Sequence, residues 1–271
     1  MPVMSSCEAR DHTKIAYEMH GDPAAAKKVL LIHSLAMDHA YWRPVGELLD
    51  KAGVCAVAPD CRGHGASGKP KGPYFATDFA DDMNDLFNHL KWPEAVVAGS
   101  SMGGSVALTF AARHTHRVAG LALIDTTAWY GKDAEKAWTD RANAAKAKGL
   151  ASLIEFQLTR WFGDDFRTHN PELVQSCIDA FLANDVEAYA ATCRMLGEFD
   201  QRRSLPLLKM PVRIVVGEED YATPPAMAED MHAAMEQSSF RLLPEARHLT
   251  PLERPEEVAE EILATLRQVH G

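Results

Sequence analysis

Cysteine is scarce in this chain and follows no pattern. The five residues Cys7, Cys55, Cys61, Cys177 and Cys193 form no C-x-x-C pair and no metal-ligand spacing. A chain of 271 residues also needs no cross-links to hold a core, so a disulfide scaffold and a zinc fold are both excluded and a reducing cytoplasm is the expected home. Basic charge is short as well. Against 38 acidic residues stand 28 Lys and Arg, giving a formal net charge of −10. A nucleic-acid surface needs clustered cations to replace phosphate counterions, so that partner is not expected. No apolar run approaches the ~18 residues of a membrane span. The start, Met1-Pro2-Val3-Met4-Ser5-Ser6-Cys7-Glu8, lacks the basic-then-apolar pattern of a signal peptide. Neither an internal repeat nor a low-complexity tract is visible, which removes solenoids and long linkers.

What remains is an ordinary globular composition, 46% hydrophobic and 24% charged, with length enough for one large core plus an inserted lobe. Within the first 25 residues the alternation in Lys14-Ile15-Ala16-Tyr17-Glu18-Met19 predicts two short strands around a turn near Asp11-His12. Apolar runs at 29–32, 54–58, 95–98, 121–124, 212–216 and 240–243 have the look of strands buried on both faces. Helical spacing occupies 42–51, 78–91, 105–113, 224–235 and 256–269. Such alternation implies an α/β fold with a mostly parallel sheet flanked by helices. It breaks at 126–205, where helical patterns run without a convincing strand. The expected organisation is therefore a core of 1–125 and 206–271 carrying a helical cap of 126–205.

Chemistry concentrates at Gly99-Ser100-Ser101-Met102-Gly103. This G-x-S-x-G directly follows a predicted strand and precedes a predicted helix, the context in which a serine is lifted off a sheet as a nucleophile. The motif alone is common by chance; its placement is what carries weight. An alkyl hydroxyl needs a base and the base an orienting acid. His248, in a loop after the last predicted strand, and Asp220, in the loop Gly217-Glu218-Glu219-Asp220-Tyr221, supply them in the chain order Ser, Asp, His that suits this fold. Glu219 is the fallback acid. The helix dipole and the Met102 N–H favour an oxyanion, with Leu35 N–H in the loop His33-Ser34-Leu35-Ala36 as second donor. His33 reads as a brace for that loop and His64 as turn structure. Asp78, Asp81, Asp82 and Asp85 read as a solvated helix face without metal-ligand spacing.

Over nearly its whole length the chain resembles the α/β-hydrolase superfamily, including Asp60-Cys61-Arg62-Gly63-His64-Gly65-Ala66-Ser67. More narrowly, Lys71-Gly72-Pro73-Tyr74, Arg160-Trp161-Phe162 and Ala222-Thr223-Pro224-Pro225 are similar to 3-oxoadipate enol-lactonases, hydrolases of bacterial aromatic catabolism. In the oxyanion loop those enzymes usually have Asn-Ser-Leu-Gly where this chain has His33-Ser34-Leu35-Ala36. The resemblance implies Ser101, Asp220 and His248 as triad, puts Trp138 and Arg141 near the start of the cap, and implies neither metal nor organic cofactor.

The expected activity is hydrolysis of a small lactone or carboxylic ester through an acyl-enzyme. Ser34, Trp42, Trp138, Arg141, Arg160 and Trp161 are candidate substrate contacts, the arginines through a substrate carboxylate. Each has a plainer alternative. Aromatics at helical spacing, with Trp129, Phe156, Phe162 and Phe181 among them, more often form core, and arginines, Arg194 included, more often form salt bridges. Carbon–carbon bond hydrolysis of a diketone uses the same triad, and a peroxide-dependent side activity is compatible with it. A ligand-binding receptor on the same fold would keep the pocket without turnover, and a dehalogenase would want a carboxylate where Ser101 stands. Oligomeric state is not legible.

Overall fold

A computed structural model describes residues 2–270. Eight strands form one sheet in the order β1-β2-β4-β3-β5-β6-β7-β8. β1 (Val3–Glu8) and β2 (Lys14–His20) pair antiparallel across the turn at Asp11-His12. The other six, β3 (Lys28–Ile32), β4 (Cys55–Pro59), β5 (Ala95–Ser100), β6 (Val118–Ile124), β7 (Val212–Gly217) and β8 (Ser238–Leu243), run parallel to one another. β4 and β5 are buried throughout, which is why their sequences are continuous apolar runs without alternation.

Helices α1 (Arg43–Lys51), α2 (Ala76–Leu90) and α3 (Met102–Arg113) connect the first parallel strands. Between β6 and β7 lie α4 (Ala134–Lys148), α5 (Ile154–Trp161), α6 (Asp164–His169), α7 (Pro171–Leu182) and α8 (Val186–Gly197). The ends of this helical stretch meet. Trp129 and Asp200 form an isolated bridge, and Gln201 N–H donates to Ala128 O at 2.8 Å, so the stretch is a loop closed at its base between two interior strands. After β7 come α9 (Pro225–Ala234), the short α10 (Thr250–Glu253) and α11 (Pro255–His270). α2 packs on α3 and α1 on α11, covering the sheet. No helix among the described residues is long and apolar enough to cross a membrane.

Three expectations are corrected. The helix after the G-x-S-x-G begins at Met102, not Ser105, because the motif's second half already has helical backbone. Trp42 ends a short 3-10 helix, His39–Trp42, whose first turn is capped by the Asp38 carboxylate at 2.9 Å from Ala40 N. That turn sends the indole into the core against Tyr41, ring centroids 5.3 Å apart. The acidic face of α2 is not simply solvated. Asp82 is buried and takes two bonds from Arg62 at 2.7 and 2.6 Å, while Asp81 and Asp85 hold Arg10, and Asp81 also holds Arg113 and His114.

β3 has β4 on one side and β5 on the other, so chain order reverses between β3 and β5. Open α/β sheets present a crevice at the carboxyl ends of strands flanking such a reversal. Here those ends lead into Ser34-Leu35 and Ser101.

Candidate active site

Ser101 is the residue between β5 and α3, and its backbone stands at φ +54, ψ −116. A non-glycine residue there is strained. The turn is enforced by crowding on both sides: a Cβ on Gly99 would lie 2.2 Å from Gly103 O, and one on Gly103 would lie 2.0 Å from Ile32 O. Only glycine fits either position, so the chain swings the serine side chain off the sheet. Two bonds from the end of β6 fix the turn, Ser101 N–H to Ile124 O at 2.9 Å and Thr126 hydroxyl to Ser101 O at 2.7 Å.

His248 lies in the loop between β8 and α10. Its Nε2 is 2.9 Å from Ser101 Oγ and its Nδ1 2.8 Å from Asp220 Oδ2. With the proton on Nδ1 donated to the carboxylate, Nε2 accepts from the serine hydroxyl. Asp220, after β7, is itself held by Ala222 N–H at 2.7 Å and Thr223 N–H at 2.9 Å on Oδ1, and by Thr223 hydroxyl at 2.9 Å on Oδ2. Burial opposes its ionisation, but the imidazole and these donors win and hold its pKa below the ordinary carboxylate value. Glu219 instead faces Arg247 at 3.3 Å. The histidine loop is also tied to the helical stretch: His248 N–H donates to Arg160 O at 3.3 Å and Leu249 N–H to Trp161 O at 3.1 Å.

Across the crevice, Leu35 and Ser34 line the cavity beside Ser101. Among the described residues neither Leu35 N–H nor Met102 N–H donates to a protein backbone carbonyl outside a helix or sheet ladder. His33 spans the loop from below. Its Nδ1–H donates to Ser34 O at 2.7 Å and its Nε2 accepts from Cys61 N–H at 2.9 Å. Burial pushes its pKa down, so it stays a neutral brace. His64 packs beside it, ring centroids 5.1 Å apart, and its Nδ1 meets Arg62 O at 3.0 Å.

The cavity over Ser101 encloses about 70 Å³ and brings together Ser34, Leu35, Trp138, Arg141, Arg160 and Trp161. Trp42 does not reach it. Tyr130 and Gln157, which the sequence did not single out, also line it, as do Ala222 and Thr223 of the segment that carries the family resemblance. Tyr130 sits edge-on to Trp138, centroids 5.3 Å apart, and burial raises its phenol to about 12. Gln157 and Arg160 share one side of α5, a spacing of three that could have flagged the glutamine. Arg141 donates through Nε to Tyr189 hydroxyl at 2.7 Å and lies over the Trp138 and Tyr189 rings. Arg160 stacks on Phe156 at 4.3 Å and donates to Tyr221 O at 3.1 Å. Among the described residues no carboxylate pairs with either guanidinium. Burial, with the charge of Arg141, pushes the Arg160 pKa down against the opposing pull of Asp220.

Of the other aromatics, Phe162 and Phe181 are fully buried core. Phe156 is 48% exposed, and Trp129 lies under the Arg202 guanidinium at 3.7 Å.

A sheet with this strand order, carrying a serine on a strand-to-helix turn at its reversal point, defines a hydrolase scaffold. The chain belongs to the alpha/beta hydrolase fold family, whose model matches residues 27–255. Among its relatives, 3-oxoadipate enol-lactonase 1 of Acinetobacter baylyi is 30% identical over 91% of this chain and 91% of its own. The solved enol-lactonase of Burkholderia xenovorans LB400 is 30% identical with a TM-score of 0.92, covering 97% of this chain and 100% of that one. A thermophilic esterase of Thermogutta terrifontis, solved with malate bound, is 31% identical with a TM-score of 0.90 over the full length of both chains.

Proposed function

We propose that this protein hydrolyses a small lactone or carboxylic ester bearing a carboxylate, most like the enol lactone of 3-oxoadipate. The observation that carries the reading is the unbroken hydrogen-bonded chain from Ser101 through His248 to Asp220, opening on a cavity that also presents Arg141 and Arg160. The helices over residues 126–205 act as the cap that supplies both arginines and closes the site. The enol-lactonase relatives and the malate bound to a related esterase are consistent with an anionic substrate.

In the first step Ser101 Oγ attacks the carbonyl carbon while Nε2 of His248 takes the hydroxyl proton. The oxyanion is held by Leu35 N–H and Met102 N–H. Collapse breaks the acyl–oxygen bond, and the imidazolium returns its proton to the leaving oxygen. Water, deprotonated by the same nitrogen, then cleaves the acyl-enzyme and frees Ser101. In a lactone the leaving oxygen stays tethered and can reclose the ring. An enol escapes this by becoming a ketone, which is why an enol lactone suits a site of this design.

Purified protein offered 3-oxoadipate enol lactone, simple lactones and aryl esters tests the reading. Turnover of the anionic lactone above its neutral counterparts is expected, and it should vanish in Ser101→Ala. Hydrolysis undiminished in that variant would sink the reading. A folded wild type that neither turns over these compounds nor reacts with a fluorophosphonate would point to a ligand-binding role, and cleavage of dienoic diketones alone to carbon–carbon chemistry.

A further inference from the structure

Three consecutive residues at the end of β6 touch all three loops that carry the candidate catalytic side chains. Ile124 and Thr126 grip the Ser101 backbone from its two sides. Between them, Asp125 reaches the other two loops. Its Oδ1 accepts Gly217 N–H at 3.1 Å, at the end of the strand that leads to Asp220. Its Oδ2 accepts Thr250 N–H at 3.0 Å and lies 2.6 Å from the Thr250 hydroxyl, two residues beyond His248. Its own N–H donates to Val215 O at 2.9 Å.

The residue is held there against two costs. Its backbone is left-handed, φ +47, and its carboxyl is wholly buried with no ion-pair partner among the described residues. The first costs of order 1–3 kcal/mol, and an unpaired buried charge would cost more. The ionisable groups that face the carboxyl are Asp220 from the β7 loop and Tyr41 from the short helix after β3, with His248 lying beyond Asp220. None of them offers it a cation of its own.

We propose that Asp125 is a positioning residue for the imidazole. By tying the His248 loop to the Asp220 loop it sets Nδ1 against the carboxylate and Nε2 against Ser101 together. This rests on the reading of Ser101, His248 and Asp220 as the reacting groups. Thr250 donates to Oδ2 through both its N–H and its hydroxyl, and Gly217 N–H donates to Oδ1, so the clamp needs both oxygens as acceptors. Burial and the charge of Asp220 push the Asp125 carboxyl well above the ordinary range, against the pull of these three donors.

The test compares Asp125→Ala, Thr250→Ser and Thr250→Val with wild type. Two readouts are needed: the rate of Ser101 labelling by a fluorophosphonate as a function of pH, and the low-field proton resonance of the His248 Nδ1–H shared with Asp220. Thr250→Ser should label within about threefold of wild type with the same pH midpoint, whereas Asp125→Ala and Thr250→Val should label at least ~30-fold slower and lose the resonance while staying folded. Wild-type rates in Asp125→Ala and Thr250→Val would overturn the positioning role. If Asp125→Ala does not fold, Thr250→Val decides. If wild type does not label at all, the reading of Ser101 falls first, and the resonance alone decides whether the clamp orders the imidazole.

Discussion

At the scale of single residues, the site is legible where chemistry and local geometry coincide. Ser101 stands out because only a Gly-x-Ser-x-Gly can make the turn that the steric contacts of Gly99 and Gly103 demand. Asp220 and His248 stand out because they follow strands. Asp125 carries no such sign; nothing in a one-dimensional reading separates a buried clamp from a loop aspartate. Replacing Asp220 by Asn should leave the ring in the wrong tautomer and cut kcat by about 10³ to 10⁴, read from steady-state kinetics on a reactive ester. The same substitution has a stability consequence. The Asp220 pKa is depressed in the folded chain, so its contribution is present above the unfolded value near ~4 and is lost as pH falls through the lower folded value. Wild type should lose stability across that acid window more steeply than Asp220→Asn, as urea midpoints at stepped pH would show. For Arg141→Met, KM for a carboxylate-bearing substrate should rise about ten- to a hundredfold, the worth of a charge-assisted hydrogen bond, while a neutral ester is handled as before. Equal losses on both substrates would remove the anion role from Arg141.

At the scale of elements, the six parallel strands are readable because burial on both faces makes each a short apolar block. Helix limits are less so: α3 starts inside the motif, and the 3-10 turn that carries Trp42 inward has no periodicity to announce it. Asp82 shows why charge patterns mislead. On α2 it belongs to a run of aspartates, yet its partner Arg62 comes from the loop after β4, twenty residues away, and only the packing of that loop on the helix makes the pair visible. Removing one member of a buried pair leaves the other uncompensated. Asp82→Asn should therefore lose about 3 kcal/mol by urea unfolding, moderated by the second contact of Arg62 with Asp11 at 3.0 Å, with kcat unchanged.

At the scale of the molecule, five thiols are free and buried, and burial pushes them up, Cys7 and Cys193 to about 11 and Cys177 to about 12. The folded protein should resist iodoacetamide at neutral pH and take up five equivalents only after denaturation, and reductant should leave its melting temperature unmoved. The fold as a whole was readable from alternation of strand and helix. Part of the cavity wall was not, because Tyr130 and Gln157 join Ser34, Leu35 and the predicted cap residues only when the helical stretch folds back over the sheet.

That return has one more effect. The last residues of α5 hold the backbone of His248 and Leu249 through the Arg160 and Trp161 carbonyls, while the Arg160 guanidinium faces the cavity. One helix thus both lines the pocket and steadies the loop of the imidazole, so a displacement of α5 would also move His248 from the distance it keeps to Ser101.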